Sequence, residues 1–103
     1  MSLDDLRERF LSGIYGCGSI DCYLVRISSL IYDLEDLSRV SGGGSVDREY
    51  VVEFLRKILL DAQDKLQALA CNLSSTISLI DNDPRYKNIR KYRDEFIDII
   101  NSI

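Results

Sequence analysis

The stretch REYVVEFLRKILLDAQDKLQALACNLSSTISLI, residues 48–80, decides the fold. Its apolar side chains recur at spacings of 4, 3 and 4 residues, twice in full and then once more as 4 and 3. This period averages about 3.67 residues per turn, which keeps the apolar positions on one face of a helix with little supercoil. The stripe consists of Val51, Leu55, Ile58, Ala62, Leu66, Leu69, Leu73, Ile77 and Ile80. The pattern predicts one long central helix over residues 48–79, which would extend for about 50 Å.

Three further helices are predicted around this central helix. Residues 3–15 and 20–40 carry apolar stripes, and each follows a serine, Ser2 or Ser19, that can cap a helix N-terminus. Residues 20–40 show an a/d heptad pattern, which is typical of a coiled-coil seam. Asp47 or Ser45 is a candidate cap for the central helix, and Asp83 followed by Pro84 predicts the start of a last helix over residues 84–101. We therefore expect an all-α fold, an elongated antiparallel bundle of about four helices.

Residues 41–45, Ser-Gly-Gly-Gly-Ser, have the composition of a flexible linker. Two interpretations are open. The segment is either an ordinary helix–helix loop within a single domain of residues 1–103, or an engineered junction between two segments, residues 1–40 and 46–103.

Composition narrows the class of protein. With 46% hydrophobic and 29% charged residues, the chain is expected to form one globular domain. A net charge of −4 argues against bulk attraction to nucleic acid or to an anionic membrane, and no apolar run is long enough for a transmembrane helix. The three cysteines, Cys17, Cys22 and Cys71, are an odd number, so we expect reduced thiols and an intracellular protein, cytoplasmic or nuclear.

The sequence offers little for catalysis or for metal binding. It contains no histidine, the commonest general base and zinc ligand, and only three cysteines where a cysteine-only zinc site needs four. Carboxylate pairs such as Asp33 with Asp36 are expected on solvated helix faces. Gly42–Gly44 lack the lysine that follows the glycines of a phosphate-binding loop. We therefore predict that the protein is not an enzyme and has no cofactor.

The leading hypothesis is a non-enzymatic protein–protein interaction module, a helical subunit or trimmed domain of a larger multiprotein assembly. The first half of the predicted central helix is apolar around most of its circumference, more than short neighbouring helices can cover. Helix packing against a second copy and against a different protein are both compatible with this pattern. The candidate partner-binding residues are Val25, Tyr32, Tyr50, Phe54 and Leu60.

Two alternative functions remain open. Five basic residues lie within nine positions of the predicted last helix: Arg85, Lys87, Arg90, Lys91 and Arg93. With tyrosines interleaved, this face is a candidate contact for a nucleic-acid-associated accessory factor. We expect it instead to pair with acidic groups of the central helix or of a partner. The other alternative is a small adaptor or regulator that binds a helical peptide in a groove.

Overall fold

In the computed structural model, which describes residues 2–103, the chain forms seven α-helices and one 3₁₀ turn. The helices are α1 (Leu3–Tyr15), α2 (Ile20–Ser41), α3 (Arg48–Asp61), α4 (Gln63–Cys71), α5 (Leu73–Asn82), α6 (Lys87–Arg90) and α7 (Arg93–Asn101), with the 3₁₀ turn at Pro84–Tyr86. No strand occurs in this part of the chain, so the all-α prediction is confirmed. None of these helices is both long enough and apolar enough to cross a lipid bilayer.

The predicted helix caps form. The side chains of Ser2, Ser19, Asp47 and Asp83 each accept hydrogen bonds, 2.9–3.4 Å long, from backbone N–H groups in the turn that follows. At Ser2 the cap is reciprocal, since the Asp5 carboxylate accepts from the Ser2 backbone N–H at 3.3 Å. These bonds satisfy N–H groups that have no partner within the helix, and they fix where four of the elements begin.

The prediction of one continuous helix over residues 48–79 is wrong, because the helix is interrupted at Ala62 and at Asn72. The backbone angles there are φ −108°, ψ 16° and φ −120°, ψ 45°, away from helical values. At Asn72 the cause is local: its side-chain amide donates to the Ala68 carbonyl at 2.9 Å, and its own carbonyl accepts from the Thr76 hydroxyl at 2.9 Å. Such side-chain bonds compete with the helical ladder.

At Ala62 no side-chain hydrogen bond interrupts the helix, and the cause is packing. Bending the chain there allows α2 and α7 to contact both α3 and α4. Val51, Leu55 and Leu59 of α3, which were expected to need a partner, are fully buried within the chain. The molecule measures 38 × 26 × 23 Å with a radius of gyration of 12.8 Å. The prediction of a helical bundle is therefore confirmed, whereas its expected elongated shape and excess apolar perimeter are wrong.

The predicted last helix over residues 84–101 is likewise divided, into the 3₁₀ turn, α6 and α7. Tyr92 separates α6 from α7 with φ −120° and ψ 30°. The bends allow Tyr86, Ile89 and Phe96 to enter the core together, and all three are fully buried. This part of the chain packs against α2 at the 3₁₀ turn and α6, and against α3 and α4 at α7.

Cys17 and Cys22 form a disulfide between the end of α1 and the first turn of α2, whereas Cys71 is a free, exposed thiol. The turn between the helices brings the two Cα atoms to 5.5 Å, within the range that a disulfide spans. The prediction of three reduced thiols is therefore wrong for this pair. Disulfides persist in oxidising compartments, so the cysteine count no longer supports an intracellular location, which stays a prediction.

The glycine-rich segment forms a defined turn. Gly43 and Gly44 have positive φ angles of 75° and 101°, a conformation that glycine adopts without steric cost. The Gly44 N–H donates to the Arg39 carbonyl at 2.9 Å, which closes the C-terminus of α2. The Asp47 N–H then donates to the Ser38 hydroxyl at 2.6 Å. Both interpretations of residues 41–45, natural loop and engineered junction, are compatible with this geometry.

Candidate interaction surface and cleft

The side of α2 that faces away from the core carries two large apolar side chains. Val25 is 43% exposed and Tyr32 is 59% exposed, although α2 buries most of its other apolar residues. The two lie seven positions apart, so they stand two turns apart on one face. Ser29 between them and Asp36 beyond them are also exposed. We call Val25, Ser29, Tyr32 and Asp36 the α2 outer face. Val25 and Tyr32, two of the candidate partner-binding residues, are thus exposed, and their binding of a partner stays a prediction.

Acidic groups stand at both ends of this face. Asp36 has Arg39 of the next turn at 3.9 Å, a long and exposed contact. At the other end, the Asp21 carboxylate accepts a 2.7 Å hydrogen bond from the Tyr86 hydroxyl and a 3.2 Å one from Arg85. The surface is thus apolar in its centre, with a carboxylate at each end that has an arginine beside it.

The other three predicted partner-binding residues lie on α3. Tyr50 and Phe54 contact each other, with ring centroids 4.8 Å apart, and both pack in part against the core. The Lys57 ammonium lies 5.1 Å from the Phe54 ring centroid. Leu60 is half-buried. Since α3 packs against the inner side of α2, these residues do not share a surface with Val25 and Tyr32.

The predicted basic face is largely occupied by contacts within the chain. Arg85 contacts Asp83 and Asp21, Arg90 contacts the carbonyls of Ile80 and Asp83, Lys91 contacts Glu35, and Arg93 contacts Asp81, at distances of 2.7–3.2 Å. Among the five, only Lys87 has no such contact within residues 2–103. The expected pairing with acidic groups is found, but the acids belong mainly to α5, to its C-terminal turn and to α2.

These ion pairs favour the charged forms of the carboxylates involved. The hydrogen bonds from Arg93 lower the pKa of Asp81, and those from Arg85 lower the pKa of Asp83. Both carboxylates are exposed enough that solvent screens the pairs, so their main effect is to hold the turn between α5 and α6 in place.

A buried carboxylate joins α2 to the C-terminal helices. Glu35 is only 5% exposed, and it accepts a 3.0 Å hydrogen bond from the Tyr92 hydroxyl and two of 3.2 Å from the Lys91 ammonium. The Arg48 guanidinium lies 4.7 Å from the Tyr92 ring centroid and pairs with Glu95. Burial, followed by the hydrogen bond to Glu35, raises the pKa of Tyr92 to about 12. This cluster was not predicted from the sequence, although Glu35 lies one turn after Ile31 on the apolar side of α2.

Beside the α2 outer face, residues of α1, α2 and α6 line a cleft of about 480 Å³. Its apolar lining comes from the buried residues Leu6, Phe10 and Leu30. Its polar lining comes from Arg9, Arg26, Ser28, Ser29, Tyr32, Asp33 and Asn88. Arg9 and Asp33 form a salt bridge of 2.8 Å across it. The sequence analysis did not predict this cleft, because it exists only where α1 packs against α2.

Comparison with protein-family models, with curated proteins and with solved structures found no match to this chain. The proposals that follow therefore depend on the exposed groups of α2 and of the cleft beside it.

Proposed function

We propose that the protein is a non-enzymatic interaction module that binds one helix of a different protein along the α2 outer face. The observation that supports this most directly is the exposure of Val25 and Tyr32 on one side of a helix whose other apolar residues are mostly buried. Apolar side chains two turns apart are the spacing that a partner helix can contact from one side. The apolar circumference of α3, which first suggested a partner, no longer supports the proposal, because other helices of the same chain bury it. The exposed residues of α2 now support it instead.

Charge favours a different protein over a second copy. If two copies paired antiparallel with Val25 opposite Tyr32, Asp21 of one would lie opposite Asp36 of the other. In a parallel pair, each of these carboxylates would face its own counterpart. Arg85 and Arg39 offset part of the repulsion between these carboxylates, and the net charge of −4 on each copy adds to what disfavours both arrangements. A helix with an apolar centre and lysine or arginine at both ends complements this face.

A pair of designed peptides tests the proposal without a known partner. Both are helical, with two leucines seven residues apart, and they differ only in having lysine or glutamate beyond the leucines. Titrated into ¹⁵N-labelled protein, the lysine-flanked peptide should shift the amide signals of Val25, Ser29 and Tyr32 and bind at least about tenfold more tightly than the glutamate-flanked one. Tyr32→Asp should weaken binding about tenfold or more.

Tyr15→Asp is the matched control, since Tyr15 of α1 is 69% exposed and lies outside this face. It should leave peptide affinity unchanged. Binding that ignores Tyr32→Asp, or equal affinity for the two peptides, would contradict the proposal. So would concentration-dependent dimerisation in light scattering that Tyr32→Asp abolishes, because the face would then belong to a second copy.

We do not advance the nucleic-acid hypothesis, because four of the five basic side chains that suggested it already have acceptors within the chain. It stays a prediction, as does the adaptor that holds a helical peptide in a groove. The nucleic-acid hypothesis predicts binding that weakens steeply with added salt and is lost in the double variant Arg90→Glu, Lys91→Glu.

A further inference from the structure

Five polar side chains of the cleft have no hydrogen-bond partner within residues 2–103. They are Arg26, Ser28, Ser29, Tyr32 and Asn88. All five can donate hydrogen bonds, and the guanidinium of Arg26 can only donate. Arg26 differs in this from most other cations of the protein, which contact carboxylates, carbonyls or aromatic rings. The cleft therefore presents unused donors, which suit a ligand that brings acceptors.

The charge of the cleft also favours an acceptor that is an anion. Asp33 is the one carboxylate among the lining residues, and the Arg9 guanidinium neutralises it at 2.8 Å. Arg26 then remains as one uncompensated positive charge. Charge-assisted hydrogen bonds from a guanidinium to a carboxylate form in pairs, and they are stronger than bonds between neutral groups. One free guanidinium can hold one carboxylate through two parallel hydrogen bonds.

The apolar lining indicates what the anion is attached to. Leu6, Phe10 and Leu30 are each at least 94% buried, yet they line the cleft. A volume of about 480 Å³ lies within the range of pockets that hold small organic ligands. A ligand with a hydrocarbon or aromatic body can place it against the small exposed edges of these side chains while its charged end contacts Arg26.

The position of Arg26 depends on a glycine of the opposite helix. A Cβ atom at Gly13 would lie 3.3 Å from both Cδ and Nε of Arg26. The arginine side chain thus crosses α1 directly over the Gly13 backbone. A methyl group at position 13 would require this side chain to shift by a few tenths of an ångström, so Gly13 allows the close approach of Arg26 to α1.

From these observations we propose that the cleft binds a small organic monocarboxylate, with its carboxylate on the guanidinium of Arg26 and its apolar body on Leu6, Phe10 and Leu30. The Ser28, Ser29, Tyr32 and Asn88 side chains supply further donors around the charged end. This proposal concerns a small ligand and requires no protein partner, but the cleft shares Ser29 and Tyr32 with the α2 outer face. Substitutions at Arg26, which lies outside that face, therefore test it separately from the interaction module.

The test is a titration of the ¹⁵N-labelled protein with 4-phenylbutyrate, followed by NMR. Saturable shifts are expected for amides of α1 and α2 that line the cleft and for the Arg26 Nε–H. The neutral 4-phenylbutyramide, which has the same body, should bind about tenfold more weakly, because charge-assisted bonds to the guanidinium are lost. Absence of saturable binding, or equal affinity for acid and amide, overturns the proposal.

Variants identify the residue responsible. Arg26→Gln should weaken 4-phenylbutyrate binding about tenfold, and Arg26→Lys should restore part of it, since lysine supplies the charge without the paired geometry. Arg56→Gln is the matched control. It removes the same charge from an arginine of α3 that also lacks an ion pair and lines a different groove, and it should change nothing. Equal effects of Arg26→Gln and Arg56→Gln overturn the assignment.

A titration with a third ligand distinguishes binding of a free small acid from binding of an acidic side chain of a protein. N-acetyl-aspartate N-methylamide presents a carboxylate on a peptide backbone without an apolar body. We expect it to bind at least about tenfold more weakly than 4-phenylbutyrate. Equal or tighter binding would overturn the small-ligand proposal and assign the cleft to acidic residues of a protein.

Discussion

The hydroxyl group of Tyr92 donates a 3.0 Å hydrogen bond to the carboxylate of Glu35, 57 positions earlier in the chain. Both residues are buried, and Lys91 contacts the same carboxylate at 3.2 Å. The contact joins the middle of α2 to the point where α6 ends and α7 begins. A buried carboxylate is costly unless it is paired and hydrogen-bonded, so this contact contributes to holding the C-terminal helices in one position on α2.

Replacement of Tyr92 by phenylalanine should lower the free energy of unfolding by about 1.5–3 kcal/mol, because Glu35 loses a hydrogen bond to a charged acceptor. Urea unfolding followed by circular dichroism measures this. Tyr32→Phe is the matched control, since that hydroxyl is exposed and has no partner within residues 2–103. It should change stability by less than about 0.5 kcal/mol. Equal effects of the two variants would contradict the role given to Glu35.

Stability should decrease at alkaline pH. Burial is the first cause that raises the pKa of Tyr86 and of Tyr92 to about 12, from an unfolded value of 10.0, and hydrogen bonds to Asp21 and Glu35 add to it. The folded state therefore holds these protons more tightly than the unfolded chain does. The resulting stabilisation is fully present below pH 10 and is lost as the pH rises through about 12.

Urea midpoints measured at intervals from pH 8 to about pH 12 test this, together with tyrosinate absorbance. Tyr86 and Tyr92 should ionise at a higher pH than a free tyrosine while the protein stays folded. Tyr92→Phe should reduce the pH dependence, and Tyr15→Phe, at an exposed position, should leave it intact. A wild-type midpoint that does not fall over this interval would refute the assignment.

Thiol labelling should distinguish the cysteines. Under native, non-reducing conditions a maleimide should modify Cys71 alone, because Cys17 and Cys22 are joined. After reduction and unfolding, all three should react, and intact mass spectrometry counts the labels. Cys71→Ser is the control and should give no label before reduction. Labelling of three cysteines without reductant, in protein purified without a reducing agent, would show that the disulfide does not form.

The turn after α2 should require glycine at one position in particular. Gly43→Ala should cost about 1–2 kcal/mol, because Gly43 has φ 75° and a Cβ atom is strained there. Gly18→Ala is the matched control, since Gly18 has no positive φ and a Cβ would meet nothing within 4 Å. Urea unfolding compares the two. If Gly43→Ala changed the free energy of unfolding as little as Gly18→Ala does, residues 41–45 would be a flexible linker rather than an ordered turn.

The sequence predicted what depends on local signals. Ser2, Ser19, Asp47 and Asp83 are small polar residues at the right distance before apolar stripes, and each caps the helix or turn that follows. Asn72 was a local signal that the periodicity concealed, since asparagine side chains compete for backbone groups. Ala62 gave no signal, because alanine is the best helix former and only the packing of α2 and α7 makes a bend favourable there.

The candidate surfaces also differ in whether they depend on local sequence or on packing between helices. The exposure of Val25 and Tyr32 followed from their place on a helical wheel, which depends on α2 alone. The burial of Glu35 and the cleft beside Arg26 depend on which helices lie against α2, and helical periodicity does not contain that information. The sequence also does not show that Arg26 lacks an ion pair, because the partners of the arginines depend on the folded structure.

The turn at Gly43 and Gly44 is a suitable place to attach a probe. A side chain built at either position would touch no other atom within 4 Å, and the bond from the Gly44 N–H to Arg39 ends α2 before that point. A short peptide tag inserted after Gly44 would thus lie in solvent, away from the packed helices and from the cleft. A fluorescent dye attached there can report rotational diffusion or proximity in binding assays. The packing of the helices would not change.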